Sequence, residues 1–101
     1  MNLADVLATI DQPFDPRTVA TMNDYAVMVV KIDGEFVWHK HSDTDDFFLV
    51  LSGELTIQLR DGDITLGPGE LFVVPKGVEH CPKGTAEVLL IEPLGTDRRG
   101  D

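Results

Sequence analysis

At 101 residues, 43% of them apolar, the chain is long enough for one modest core and too short for two domains. Its 8 Lys and Arg against 18 Asp and Glu leave a net charge of −10, which argues against nucleic acid and equally against an anionic membrane surface as partner. Cys81 is the one cysteine and cannot close an internal disulfide. The first residues lack a secretory leader's basic start and apolar stretch, and no apolar run nears the ~20 residues of a membrane span, so a cytoplasmic location is expected.

In chain order, Leu3, Val6, Leu7 and Ile10 fall at helical spacing with Asn2 available as a cap, which predicts a short amphipathic helix over 2–11. Gln12 to Thr21 holds Pro13 and Pro16 and little periodicity, and reads as an extended arm. From Tyr25 the texture changes to short β-branched and aromatic runs cut by Gly, Asp and Pro. Strands are expected over Tyr25–Ile32, Phe36–His41, Asp46–Leu51, Glu54–Arg60, Asp63–Leu66, Leu71–Pro75, Val78–Cys81 and Ala86–Glu92. Turn signals stand at Ser52-Gly53, Asp61-Gly62 and Gly67-Pro68-Gly69. The organisation expected is therefore helix and arm over 1–24, an all-β sandwich or barrel over 25–93, and a polar, frayed tail over 94–101.

The runs Ala26–Val30, Phe47–Leu51, Leu71–Val74 and Val88–Ile91 are apolar at successive positions, so both faces of these strands need cover. Outward apolar residues such as Trp38 and Phe47 are expected under the N-terminal arm or a partner chain. A domain this small has a thin stability margin, and pairing into a homodimer would widen it.

The chemistry concentrates in two segments. In His39-Lys40-His41, strand alternation places the two imidazoles on one face about 6–7 Å apart, with Lys40 turned away. Imidazoles so placed can lean towards one ion at about 2.0–2.1 Å. Ser42 to Asp45 then turns the chain and Asp46 opens the next strand. The second segment runs from Gly69 through Pro75-Lys76-Gly77 to His80, a strand that ends in a Pro-x-Gly turn followed by a histidine. These are the chain's only 3 histidines.

Together the segments resemble the paired motifs of the cupin superfamily. The first motif, Gly, His-x-His, Glu and a later Gly, is matched by Gly34, His39, His41, Asp46 and Gly53. The second, Gly, Pro-x-Gly, His and a later Asn, is matched by Gly69, Pro75, Gly77 and His80, with Gly84 where Asn is usual. The resemblance implies a cupin double-stranded β-helix, a jelly-roll barrel. It also implies a divalent transition metal in the barrel mouth, held by His39, His41 and His80 with Asp46 as a fourth ligand. Asp46 is one methylene shorter than the usual Glu, about 1.5 Å less reach. Three arrangements stay open for it: ligation through a shifted backbone, action through a water, or a three-histidine site. Asp45 is a poorer substitute because alternation faces it away from Asp46.

Nitrogen and oxygen donors suit Fe, Mn, Ni, Co or Zn alike, and such a site keeps positions open for water or substrate. Cys81 faces away from the cluster and reads as a small buried hydrophobe. Phe36, Phe48, Phe72 and Trp38 are pocket walls or core. Glu35, Tyr25, Glu79 and Gln58 are each available as a pocket acid, base or hydrogen-bonding group. Lys31, Lys40 and Lys76 read as solvated. Two classes of function follow. One is a metal-dependent enzyme of dioxygenase, isomerase or decarboxylase type acting on a small polar metabolite. The other is a non-catalytic module that binds or senses a small molecule. The enzyme is the reading carried forward, since an open metal site is costly to keep without use.

Overall fold

One short helix and six strands make up the computed structural model, which describes Met1–Asp101 throughout. They are α1 Leu3–Leu7, β1 Arg17–Met22, β2 Tyr25–Glu35, β3 Asp46–Leu59, β4 Gly62–Leu66, β5 Leu71–Val74 and β6 His80–Pro93. All pairings are antiparallel, in the order β1-β2-β6-β3-β4, with β5 also on β3. The long strands β3 and β6 run side by side along their lengths. On its other edge β3 takes β5 over Asp46–Leu49 and β4 over Leu55–Leu59. This is the expected all-β jelly roll with its short N-terminal helix.

The helix begins as predicted and stops early. The Asn2 side chain accepts from the Asp5 N–H, capping it. After Leu7 the N–H groups of Thr9 and Ile10 turn back to the carbonyls of Val6 and Leu7, each at 3.0 Å, and these tighter bonds end the helix well before residue 11. Leu7 and Ile10 are nonetheless buried against Val29 on β2, so the helix covers one outer face of the sheet. Lys31 donates to the Ile10 carbonyl at 2.7 Å and is a tie between helix end and sheet, not a solvated side chain.

The arm goes further than extended chain: Arg17–Met22 pairs with β2 through a tight turn at Asn23-Asp24, with Asn23 at φ 52°. Asn tolerates that left-handed conformation, so the Asn-Asp pair was the available signal, outweighed by the two prolines upstream. Elsewhere expected breaks turn out to be bends. Asp46–Leu51 and Glu54–Arg60 form one strand, because Gly53 at φ 80° absorbs a register shift near Ser52 while pairing with β6 continues. Gly84 likewise carries β6 through from His80 to Pro93. Phe36–His41, by contrast, is extended chain with a single bridge, from His39 to His80.

The interior is filled by Val30, Ile32, Phe48, Val50, Leu55, Ile57, Val88 and their neighbours. Within one chain, the arm leaves two of these apolar surfaces without cover. Leu71 and Val73 point outward on β5 and are exposed, and Trp38 lies under the Arg60 guanidinium, 3.7 Å from its ring centre, and not under the arm.

Candidate metal centre

Backbone hydrogen bonds stitch the two histidine segments together. His39 and His80 exchange N–H to carbonyl bonds at 3.0 and 2.9 Å, and the N–H of Gly77, in the Pro-x-Gly turn, donates to the His41 carbonyl at 2.8 Å. Asp45 is turned outward and accepts from the Lys76 N–H, fixing the same turn from outside. As a result His39, His41, Asp46 and His80 are all buried, and each offers one donor atom within 4.8 Å of the others.

The ring tautomers follow from what the outer nitrogens face. His39 Nδ1 lies 2.8 Å from the Val37 carbonyl and His80 Nδ1 lies 2.9 Å from the Val78 carbonyl. A carbonyl only accepts, so each Nδ1 carries a proton and each Nε2 is turned into the cluster, where it donates a lone pair to a metal once it carries no proton itself. His80 Nε2 stands 3.1 Å from Asp46 Oδ2, and His41 Nε2 stands 3.5 Å from the same oxygen. A lone pair facing a carboxylate at that distance is repulsive until a proton or a metal ion lies between them. Ligands about 2.0–2.1 Å from an ion stand about 3–4 Å apart, so small inward movements of these donors suffice to hold a divalent metal. The shorter reach of Asp46 does not keep it out of the cluster.

The electrostatics fit the same use. Burial holds the His39 imidazole below its ordinary pKa, leaving it neutral. Hydrogen bonding to Asp46 raises that of His41. Burial would raise Asp46, yet its hydrogen bonds with His41 and His80 prevail and hold it below the usual carboxylate range.

A small, half-open pocket reaches the cluster. Phe14, Phe36 and Phe48 stand in its wall, with Glu92 inside and Arg98 at the rim. Of the groups nominated from sequence, Glu35 and Gln58 bond to each other elsewhere, Glu79 faces Arg60 in the open, and Tyr25 is exposed. Cys81 is buried away from the cluster, as expected. Glu92 was missed, although Val88, Leu90 and Glu92 form one inward-facing alternation on β6. The tail is not the frayed end its polar composition predicts: Asp101 donates its N–H to the Lys40 carbonyl and accepts from the Ser42 N–H, which ties it to the rim.

Burial, reinforced by the Asp46 charge, pushes Glu92 up to about 7. The folded protein thus keeps a proton that the unfolded chain releases near pH 4.3, and stability contributed by Glu92 falls as pH rises from there through 7. Glu92→Gln is expected to stabilise chelator-treated protein at pH 8 by about 1–3 kcal/mol and to do almost nothing below pH 4, as read by urea unfolding at both pH values.

Residues 26–92 match the family described as Cupin domain, Cupin_2. The chain is a cupin. Among solved structures it resembles a cupin-2 domain protein of Shewanella frigidimarina, 48% identical over 92% of this chain and 93% of that one, with a TM-score of 0.89. A Neisseria meningitidis protein is 30% identical over 92% of this cupin and 97% of its own chain, with a TM-score of 0.83. The Bacillus subtilis protein YdbB is 31% identical over 80 residues, 78% of this chain and 71% of its own.

Proposed function

We propose that this cupin is a metal-dependent enzyme acting on a small molecule, with His39, His41, His80 and Asp46 as ligands of Fe, Mn, Ni, Co or Zn. The observation that carries this is a buried cluster of three imidazoles and one carboxylate that opens onto a pocket. A bound ion there would polarise a substrate oxygen or activate O₂, as dioxygenase, isomerase and decarboxylase chemistry requires. The protein's own contribution is to fix the His39 and His80 rings through their Nδ1 contacts, to line the approach with apolar walls, and to place the Glu92 carboxyl inside the pocket, where it can take or give a proton.

Purified protein is expected to carry about one equivalent of transition metal per chain by elemental analysis. Asp46→Asn keeps the shape and removes the charge, and is expected to weaken metal binding at least about tenfold, as followed by competition with a chelator. Metal-free protein that refuses Fe, Mn, Ni and Zn would sink the reading.

Pairing into a homodimer belongs to the same proposal. The cross-strand row Val73, Phe47, Ile91 and Val27 runs over the outer sheet face beside exposed Tyr25. Sedimentation that shows only monomer at high concentration removes it. A cytoplasmic setting suits the free, buried Cys81, and no helix is long and apolar enough to cross a membrane.

A further inference from the structure

We propose that the pocket takes a small organic anion with a flat, largely apolar body, its negative group held by Arg98 at the mouth. This rests on reading the pocket as the substrate site, and it narrows the substrate towards a less polar body than the histidine motifs alone imply.

Arg98 is the one Lys or Arg side chain that lines this pocket. The tail that carries it is anchored three residues on: the Asp101 N–H donates to the Lys40 carbonyl at 3.0 Å, and the Ser42 N–H donates to Asp101 Oδ1 at 2.9 Å. Both anchors lie on the segment that carries His39 and His41. Arg98 Nη1 donates to the Phe14 carbonyl at 2.8 Å. Its nearest carboxylate, Asp15, is 3.8 Å away and more than half exposed, too long and too wet to neutralise it. The rest of the guanidinium fork is left to meet a carboxylate in two parallel bonds.

The wall below this fork is aromatic. Phe14 holds a φ of 59°, a left-handed conformation that costs an aromatic residue about 1–2 kcal/mol. It is pinned there from both sides, by its N–H to the Lys31 carbonyl at 2.8 Å and by Arg98 on its own carbonyl. The strained residue lays its ring on Phe36, centroids 5.2 Å apart, and Phe36 meets His39 edge-on at 5.4 Å. An aromatic surface therefore leads from the guanidinium to the imidazole cluster, and a flat body lies along it with favourable ring contacts. Charge selects in the same direction. Arg98 is the one guanidinium in a pocket that also holds the Asp46 and Glu92 carboxylates, so an anionic group is drawn to the mouth and its neutral body to the wall between.

The test is calorimetric titration of metal-loaded protein with benzoate, its neutral analogue benzamide, and acetate. Benzoate is expected to bind at least about tenfold more tightly than either, the scale of one charge-assisted pair. Arg98→Gln is expected to erase the preference for benzoate over benzamide with metal content unchanged. Arg60→Gln removes the same charge outside the pocket, where Arg60 lies on Trp38 and faces Glu79, and is expected to keep the preference. Equal binding of benzoate and benzamide, retention of the preference in Arg98→Gln, or equal loss in Arg60→Gln overturns the assignment to Arg98. Acetate binding as tightly as benzoate overturns the apolar body. The titration is repeated after chelation. A preference that survives chelation and still needs Arg98 supports this proposal even if elemental analysis has sunk the metal reading. One that needs metal and ignores Arg98 places the carboxylate on the ion and overturns it.

Discussion

His80→Ala is expected to strip the purified protein of its metal while leaving the barrel folded. The His80 side chain is 1% exposed, the deepest of the cluster, and its Nε2 is the donor nearest the Asp46 carboxylate. Its removal takes away one nitrogen donor and half of what orients Asp46. Loss of an outer partner of a ligand commonly costs 10–100-fold in metal affinity, and loss of the ligand itself is expected to exceed about 100-fold. Metal per chain should then fall from about one to about a tenth or less. The backbone at residue 80 keeps its two bonds to His39 whatever the side chain, so the strand pairing does not depend on the imidazole. Elemental analysis and circular dichroism on the same sample separate the two effects. A folded variant that keeps a full equivalent of metal would show that the second histidine segment is structural only.

The second large effect is on stability, at Gly53. This residue turns β3 at φ 80°, and a Cβ built there runs into the Thr85 carbonyl oxygen and the Ala86 Cα of β6. Both obstacles are backbone of a paired strand, so neither can step aside without breaking the β3–β6 ladder. Gly53→Ala is expected to cost at least about 3 kcal/mol, the sum of left-handed strain and a forced strand separation. In a domain of this size that corresponds to a melting temperature lower by more than about 12 °C. Gly69→Ala is the control. Gly69 has a similar φ of 82° and open space around its Cβ position, so only the conformational cost of about 1–2 kcal/mol remains. Thermal unfolding of the two variants side by side isolates the close approach, and equal losses would show that the contact with β6 is soft.

The legible part of the site was the part coded by spacing. His39 and His41 share a face because alternation is a local property of extended chain. His80 follows the Pro-x-Gly turn because proline and glycine punctuate a chain wherever they stand. Asp46 could be placed at a strand start but not at a distance from the histidines, since that depends on how β3 enters the sheet. Glu92 and Arg98 were harder. Glu92 carries the alternation of β6, yet an acid at the end of an apolar run looks like a strand's polar terminus until the residues packed around it are known. Arg98 lies in a polar tail whose order comes from hydrogen bonds to residues 40 and 42, far away in sequence.

The same division holds for the fold. Short apolar strands, their turns and the capped N-terminal helix were written locally, in residue types and intervals, and they carry the all-β class and the jelly roll. Tertiary structure alone decided which glycines end a strand and which bend it. Ser52-Gly53 and Gly84 carry turn-forming residues, but continuous pairing with a neighbour holds the chain in register, and the glycine's free φ is used to curve the sheet. It also decided that the arm pairs with β2, that the tail closes on the rim, and that the histidine cluster lies at the floor of a pocket with an arginine at its mouth. Such features arise where distant segments meet, and the energy that settles them is a sum of burial and hydrogen bonds that no local window contains.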